Sequence, residues 1–100
     1  MNDITVLELK SKMDNNEDFV FIDVREPVEY QQFNLGAKLI PLGQLLQNLD
    51  QLESSKDKEL IVHCRSGKRS ATAKSMLEEK GYTKVRNVIG GVLEWIAVIN

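Results

Sequence analysis

The chain has 100 residues, of which 42% are hydrophobic and 28% charged, and its net charge at pH 7 is −2. This length predicts one domain over residues 1–100, and the charge gives no reason to expect nucleic acid or a membrane as a partner. The single cysteine excludes an internal disulfide, and no apolar segment approaches the ~20 residues of a membrane span. Because the amino terminus has no secretory pattern, we expect a cytoplasmic protein, and its size suits a monomer.

Short apolar runs alternate with segments of helical periodicity along the whole chain. An apolar run of four to eight residues, bounded by turn residues, is typical of a strand. Strands and helices that alternate at this spacing predict an α/β fold, with a mostly parallel sheet and helices on both of its faces. The predicted strands are, in chain order, Phe19–Asp23, Lys38–Ile40, Glu59–His63 and Lys84–Val88.

The helices are predicted from their caps and from the spacing of apolar residues. Thr5 and Glu8 have the pattern of a capping box before a first helix. Pro27 is placed to open a second, short helix. The later helical segments are an amphipathic helix with leucines at positions 42, 45, 46 and 49, a helix from Arg69 or Ser70 to Gly81, and a final helix after Gly90-Gly91 with Val92, Trp95, Ile96 and Ile99 on its inner face.

The stretch HCRSGKRS lies between the third predicted strand and the helix that follows it. Cys64 comes just after this strand, where parallel sheets bind their ligands. A loop that curls there, as Gly67 allows, aims several backbone N–H groups at one point in front of a helix. Arg65, Lys68 and Arg69 add three cations. Such surroundings lower the pKa of a thiol from about 8.5. The sequence therefore predicts an anionic, reachable sulfur that reacts with an anionic electrophile.

The alternative for Cys64 is a small buried hydrophobic residue, as most lone cysteines are. The cations beside it favour a functional role, because cations are rarely buried unless they are paired. Ser66 is expected either to bind the substrate or to shape the loop, while Ser70 is expected to cap the helix. His63 is expected to point away from Cys64, since neighbours on a strand point to opposite faces. With one cysteine and one histidine, no metal or other cofactor is expected.

Four segments, in order and over nearly the whole chain, resemble the rhodanese family of sulfurtransferases. They are IDVREPVEY, AKLIPL, HCRSGKRS and VIGGVLEW. The resemblance implies a five-stranded parallel sheet flanked by helices. It also implies that Cys64 takes sulfur from thiosulfate or a persulfide and passes it to cyanide, a thiol or a carrier protein. In such an enzyme the loop Arg65–Ser70 binds the donor, chiefly through Lys68 and Arg69, and Asp23 and Arg25 support the site.

Two alternatives from other functional classes stay open. A non-catalytic rhodanese-like module for binding or regulation usually lacks the cysteine or the loop cations, and this chain has both. Phosphatases that resemble this family have one more residue between cysteine and arginine than the four between Cys64 and Arg69, and an arsenate reductase needs a second cysteine. The stretch Phe33–Gly36 departs from the family because it lacks a histidine and is one residue shorter, so we expect an altered loop shape there.

Overall fold

The structure is a computed structural model that describes residues 1–100. It contains four α-helices, four strands and two 3-10 helices. Their order follows the alternation predicted from the sequence, with each strand starting and ending within two residues of its expected bounds. The elements are α1 (Val6–Asp14), β1 (Val20–Asp23), α2 (Pro27–Gln32), β2 (Lys38–Leu39), 3-10 helices Leu42–Gln44 and Leu46–Ser55, β3 (Leu60–His63), α3 (Lys68–Glu79), β4 (Val85–Asn87) and α4 (Gly91–Val98).

All four strands are parallel and lie in the order β2-β1-β3-β4. The fifth strand implied by the family resemblance is reduced to one residue, because Ile4 forms a single parallel bridge with Val88 beyond β4. The capping box explains this difference. The N–H of Glu8 donates to the Thr5 hydroxyl oxygen over 3.1 Å, and the Thr5 N–H donates to the Glu8 carboxylate over 3.1 Å. The chain therefore enters α1 immediately after Ile4.

Helices cover both faces of the sheet, as predicted, and each face has its own apolar core. On one face α1 and α4 pack over Ile61 and Val88, while α3 and the 3-10 segment pack over Ile22 and Val62 on the other. The prediction that Ile96 faces inward is wrong, since 45% of Ile96 is exposed. The buried stripe of α4 instead contains Val92 and Trp95, with Ile99 partly buried beside them.

The leucine-rich segment is apolar on one side, as predicted, but it is not an α-helix. Leu45 and Leu52 are buried in the core, whereas the backbone forms 3-10 turns with a break at Asn48, where φ is −114° and ψ is 18°. The Asn48 side-chain amide donates to the carbonyl of Gln44 over 2.8 Å. Asparagine often offers such local bonds in place of helical ones, which accounts for the break.

The topology places the carboxyl ends of β1 and β3 side by side at the centre of the sheet. From β1 the chain moves outward to β2, and after β2 it crosses to β3 on the other side of β1. In open parallel sheets this reversal opens a crevice in which ligands bind. Asp23 and His63 end the two strands, so the loop that contains Cys64 begins at this crevice. Every helix is too short or too polar to cross a bilayer.

Candidate active site

The loop after β3 curls around the sulfur of Cys64. Gly67 has a φ of +100° and acts as the N-cap of α3, which begins at Lys68, one residue earlier than expected. This left-handed conformation is open to glycine at little cost, and it turns the following N–H groups inward. The N–H of Gly67 donates to Sγ over 3.1 Å, and the N–H and hydroxyl of Ser70 each lie 3.4 Å from Sγ. Ser70 is therefore part of the sulfur environment and not the helix cap that we expected.

The environment of Cys64 lowers the pKa of its thiol. Burial by itself raises the pKa, but the Ser70 hydroxyl and the N–H groups of Ser70, Gly67 and Ser66 outweigh it by stabilising the thiolate. The expectation of a reachable sulfur is wrong for this conformation, because Cys64 has 0% exposed surface. The loop residues Arg65, Ser66 and Lys68 are themselves exposed. Access of a donor to the sulfur therefore requires this loop to move.

Asn87, at the end of β4, holds the loop from the neighbouring strand. Its side-chain amide donates to the Gly67 carbonyl over 3.1 Å, and its amide oxygen accepts the Ser70 hydroxyl over 2.5 Å. A hydroxyl has one hydrogen to donate, so Ser70 serves either Asn87 or the sulfur of Cys64. The shorter distance favours Asn87 while the sulfur is protonated, and formation of the thiolate favours the sulfur.

Replacing Ser70 with alanine is therefore expected to raise the pKa of the Cys64 thiol. The variant removes the hydroxyl but keeps the backbone N–H groups of residues 70 and 67. The pKa of the thiol should therefore stay below that of a thiol with the same burial and no hydrogen-bond donors around it. The rate of alkylation as a function of pH measures this pKa. Ser66→Ala is the matched control, since Ser66 contributes only its N–H. An unchanged pKa in Ser70→Ala would mean that the hydroxyl stays with Asn87.

The first turn of α4 fixes the loop from its other side. The N–H of Val92 donates to the Cys64 carbonyl and the N–H of Leu93 to the Arg65 carbonyl, each over 3.0 Å. Gly91 makes this approach possible, because a side chain there would overlap both carbonyl oxygens. With the carbonyls held outward, the loop N–H groups point toward the sulfur. No local sequence signal singles out Asn87, and the Gly90-Gly91 pair by itself indicates only a turn. The structure therefore adds Asn87 and Gly91 to the candidate site.

The three loop cations fall into two groups. Arg65 and Lys68 are exposed, with no carboxylate oxygen within 4.0 Å. Arg69 instead forms a double hydrogen bond with Glu29 of α2, Nη1 to Oε1 over 2.7 Å and Nη2 to Oε2 over 2.9 Å. Chiefly because of this contact, the pKa of Glu29 falls to about 2. No signal in the sequence singles out Glu29, which lies 40 residues before its partner.

Asp23 and Arg25 form a buried ion pair that supports α2. The guanidinium of Arg25 donates to both carboxylate oxygens of Asp23, with Nη2 to Oδ2 at 2.8 Å, and both side chains are at most 4% exposed. The same Nη2 donates to the Phe33 carbonyl over 2.6 Å, just after α2 ends. In the shortened stretch that follows, the Gly36 N–H donates to the Asn34 side chain over 3.0 Å. Arg25 thus anchors α2, and with it Glu29, to the end of β1.

His63 lies on the opposite face of the sheet from Cys64, as predicted. It is fully buried, its ring centroid is 5.2 Å from that of Phe21, and its Nε2 has no hydrogen-bond partner. Nε2 is 3.5 Å from Asp23 Oδ2, but Asp23 is directed toward Arg25. Burial lowers the pKa of His63, although Asp23 opposes this effect. Because His63 lies on the other face of the sheet, it cannot take the proton of Cys64.

Two cavities differ in their relation to the loop. A groove of about 220 Å³ lies beside it, with walls that include Arg65, Phe33, Leu93 and Ile96. The largest cavity, about 720 Å³, lies at the amino ends of the strands, where its lining includes Val20. Cys64 is not part of its lining and lies at the opposite, carboxyl end of the strands, so the size of this cavity does not make it the reaction site.

Comparison with known proteins assigns the family. The sequence model of the rhodanese-like domain matches residues 5–98. A sulfurtransferase of Allochromatium vinosum is 32% identical over 95% of this chain and 88% of its own length. YrkF of Bacillus subtilis, a candidate sulfur carrier protein, is 33% identical over 93% of this chain, which spans only 50% of YrkF. The crystal structure of a rhodanese-like domain protein from Staphylococcus aureus superimposes with a TM-score of 0.85, at 33% identity, over 95% of this chain and 91% of that one. This chain belongs to the rhodanese-like domain family.

Proposed function

We propose that this protein is a sulfurtransferase that takes sulfane sulfur from a small anionic donor onto Cys64 and delivers it to a thiophilic acceptor. The observation that supports it most directly is the set of donors around Sγ, which are the N–H groups of Gly67 and Ser70 and the Ser70 hydroxyl. These donors favour the thiolate, which is the nucleophilic form of cysteine. The name of the Allochromatium vinosum relative, sulfurtransferase, supports the same activity.

The proposed reaction has two steps. The thiolate of Cys64 attacks the outer sulfur of thiosulfate, the S–S bond of the donor breaks, and its electron pair leaves with sulfite. Cys64 then carries a persulfide, Cys–S–S⁻, whose charge the loop N–H groups stabilise. In the second step cyanide or a thiolate attacks the outer sulfur, and the electron pair returns to Cys64. The charges balance in both steps, so no oxidant, reductant or cofactor takes part.

Arg65 and Lys68 are proposed to receive the donor, because both are exposed and carry no internal ion pair. Lysine attracts an anion as a point charge, whereas arginine offers paired hydrogen bonds to its oxygens. The groove beside Arg65 is the proposed approach for a protein partner in a sulfur relay, as the name of YrkF, a candidate sulfur carrier protein, suggests. A cytoplasmic location and a monomeric state remain predictions.

A second candidate, the non-catalytic binding module, is favoured by one observation, the complete burial of Cys64. The two candidates differ in the chemistry of this thiol. A catalytic loop opens often enough for small anions to reach the sulfur, whereas a core cysteine stays protected until the protein unfolds.

The deciding experiment is intact-mass analysis of the protein after incubation with thiosulfate or a small persulfide. We expect the mass of one sulfur atom to be added, and we expect its removal by cyanide to yield an equal amount of thiocyanate. A folded protein that gains no sulfur from either donor, and resists alkylation by iodoacetamide below its unfolding temperature, would support the binding module instead.

A further inference from the structure

We propose that Glu29 sets the donor preference of this site by occupying Arg69, so that donors with one negative charge are used in preference to dianionic thiosulfate. This inference rests on the proposed sulfurtransferase function and names the donor class more narrowly. The preferred donors are anions with one negative charge and a transferable sulfur, such as thiosulfonates and small persulfides. Glu29 is a specificity residue in this proposal and does not touch the reacting atoms.

The contact between Glu29 and Arg69 uses the geometry in which a guanidinium would otherwise bind a sulfonate. Both terminal nitrogens of Arg69 donate to the two carboxylate oxygens of Glu29, over 2.7 Å and 2.9 Å. This paired arrangement is the strongest that arginine makes with an oxyanion. A sulfonate that approaches Arg69 must therefore displace a carboxylate that is already bound, and that carboxylate remains nearby as a like charge.

Glu29 is held in place before any donor arrives. Its Oε1 also accepts the N–H of Glu26 over 3.0 Å at the start of α2, and Arg25 anchors the end of that helix at Phe33. Displacing Glu29 therefore breaks the bond to Glu26 as well as the bonds to Arg69. The pKa of Glu29, lowered to about 2 chiefly by Arg69, means that the carboxylate is charged at every pH where the thiolate is present.

The local charges lead to the same conclusion. The loop contributes three cations, Arg65, Lys68 and Arg69. The Cys64 thiolate and the Glu29 carboxylate offset two of them, which leaves one positive charge for the donor. A monoanionic donor matches that charge, whereas thiosulfate brings a second negative charge that has no free partner. Because the site is only partly open to water, with Arg69 34% exposed and Glu29 24% exposed, solvent screens this mismatch incompletely.

Thiosulfate and methanethiosulfonate form a matched pair of probes for this proposal. Both present a terminal sulfur on a sulfonyl group, but a methyl group replaces one oxygen in methanethiosulfonate and removes one charge. The same thiolate attack releases sulfite from the first and methanesulfinate from the second, with the electron pair of the broken S–S bond. The comparison therefore changes the charge of the donor while the reacting bond stays the same.

In Glu29→Gln, kcat/KM for thiosulfate is expected to rise about tenfold, while kcat/KM for methanethiosulfonate changes less than about twofold. The amide keeps an oxygen for the N–H of Glu26 but loses the charge that holds Arg69. Glu26→Gln is the control, since it removes a nearby charge that makes no hydrogen bond to Arg69, and the donor ratio should change by less than about twofold. Adding Arg69→Gln to Glu29→Gln should abolish the gain.

Several outcomes would overturn the proposal. An equal rise for both donors, an equal rise in Glu26→Gln, or a gain that survives in the double variant would each exclude occupation of Arg69 as the cause. Glu29→Asp adds a second measurement, because it keeps the charge but shortens the reach, and a smaller gain than in Glu29→Gln is expected. If the wild-type protein takes sulfur from neither donor, the proposed function fails together with this inference. If it takes sulfur from both and Glu29→Gln leaves their ratio unchanged, only this inference fails.

Discussion

Cys64→Ser is expected to lower sulfur transfer by at least about 10⁴-fold and to abolish the sulfur adduct in intact-mass analysis. The reason is that a serine hydroxyl in the same place is almost entirely protonated at neutral pH, whereas the loop lowers the pKa of the Cys64 thiol. The chain has no second cysteine on which a persulfide could form. All of the transferred sulfur is therefore expected to pass through this residue.

The substitution also separates chemistry from folding. Serine is close to cysteine in size and can accept the N–H of Gly67, which now donates to Sγ over 3.1 Å, but it places a hydroxyl in an apolar cluster. A loss of about 1–2 kcal/mol in the free energy of unfolding is expected from such a buried polar group. Thermal unfolding monitored by circular dichroism should show a cooperative transition. A folded Cys64→Ser protein that still transfers sulfur would place the reaction elsewhere.

The features that were predicted correctly are those that depend on residues close together in the sequence. The strand Leu60–His63 follows from one apolar run, and the capping box follows from Thr5 and Glu8. The curl around Cys64 follows from a glycine between the end of a strand and the start of a helix, since parallel topology places that loop at the ligand-binding edge. Local spacing was sufficient to place Cys64 at this edge of the sheet.

The features that could not be predicted depend on contacts between distant residues. Glu29 and Arg69 are 40 positions apart in the sequence, and Asn87 hydrogen-bonds Ser70, which lies 17 positions before it. Each of these side chains is ordinary in its own segment, so only the fold reveals its partner. For the same reason the sequence shows three cations around Cys64 but not that Glu29 already binds Arg69.

The burial of Cys64 also results from packing between distant segments, which the spacing of residues along the sequence does not reveal. The pattern of cations and glycine indicates the groups that surround the sulfur, and the structure confirms N–H donors at 3.1 Å and 3.4 Å. Their positions depend on Val92 and Leu93, which hold the loop carbonyls from a helix that begins near the end of the chain. The tight curl that results gathers the donors and covers the sulfur at the same time.

Gly91→Ala is expected to destabilise the protein by about 3 kcal/mol or more and to slow formation of the sulfur adduct at least about tenfold. Gly91 has a φ of +57°, which is unfavourable for alanine. An added methyl group would also overlap the carbonyl oxygen of Cys64 and lie 2.6 Å from that of Arg65. Relief of this overlap requires α4 to move away from the loop, so its N–H groups release the two carbonyls. Chemical denaturation and intact-mass kinetics measure the two effects.

Gly36→Ala is the matched control, because Gly36 has a similar left-handed φ of +87° with no atom within 4 Å of an added methyl group. It is expected to lose only about 1 kcal/mol from backbone strain and to form the sulfur adduct at the wild-type rate. The difference between the two variants isolates the contact between α4 and the loop. Equal losses of stability, with equal rates of adduct formation, would show that backbone strain alone matters at Gly91. Slower adduct formation in Gly91→Ala alone would mean that α4, by binding the loop carbonyls, directs the loop N–H groups toward the sulfur.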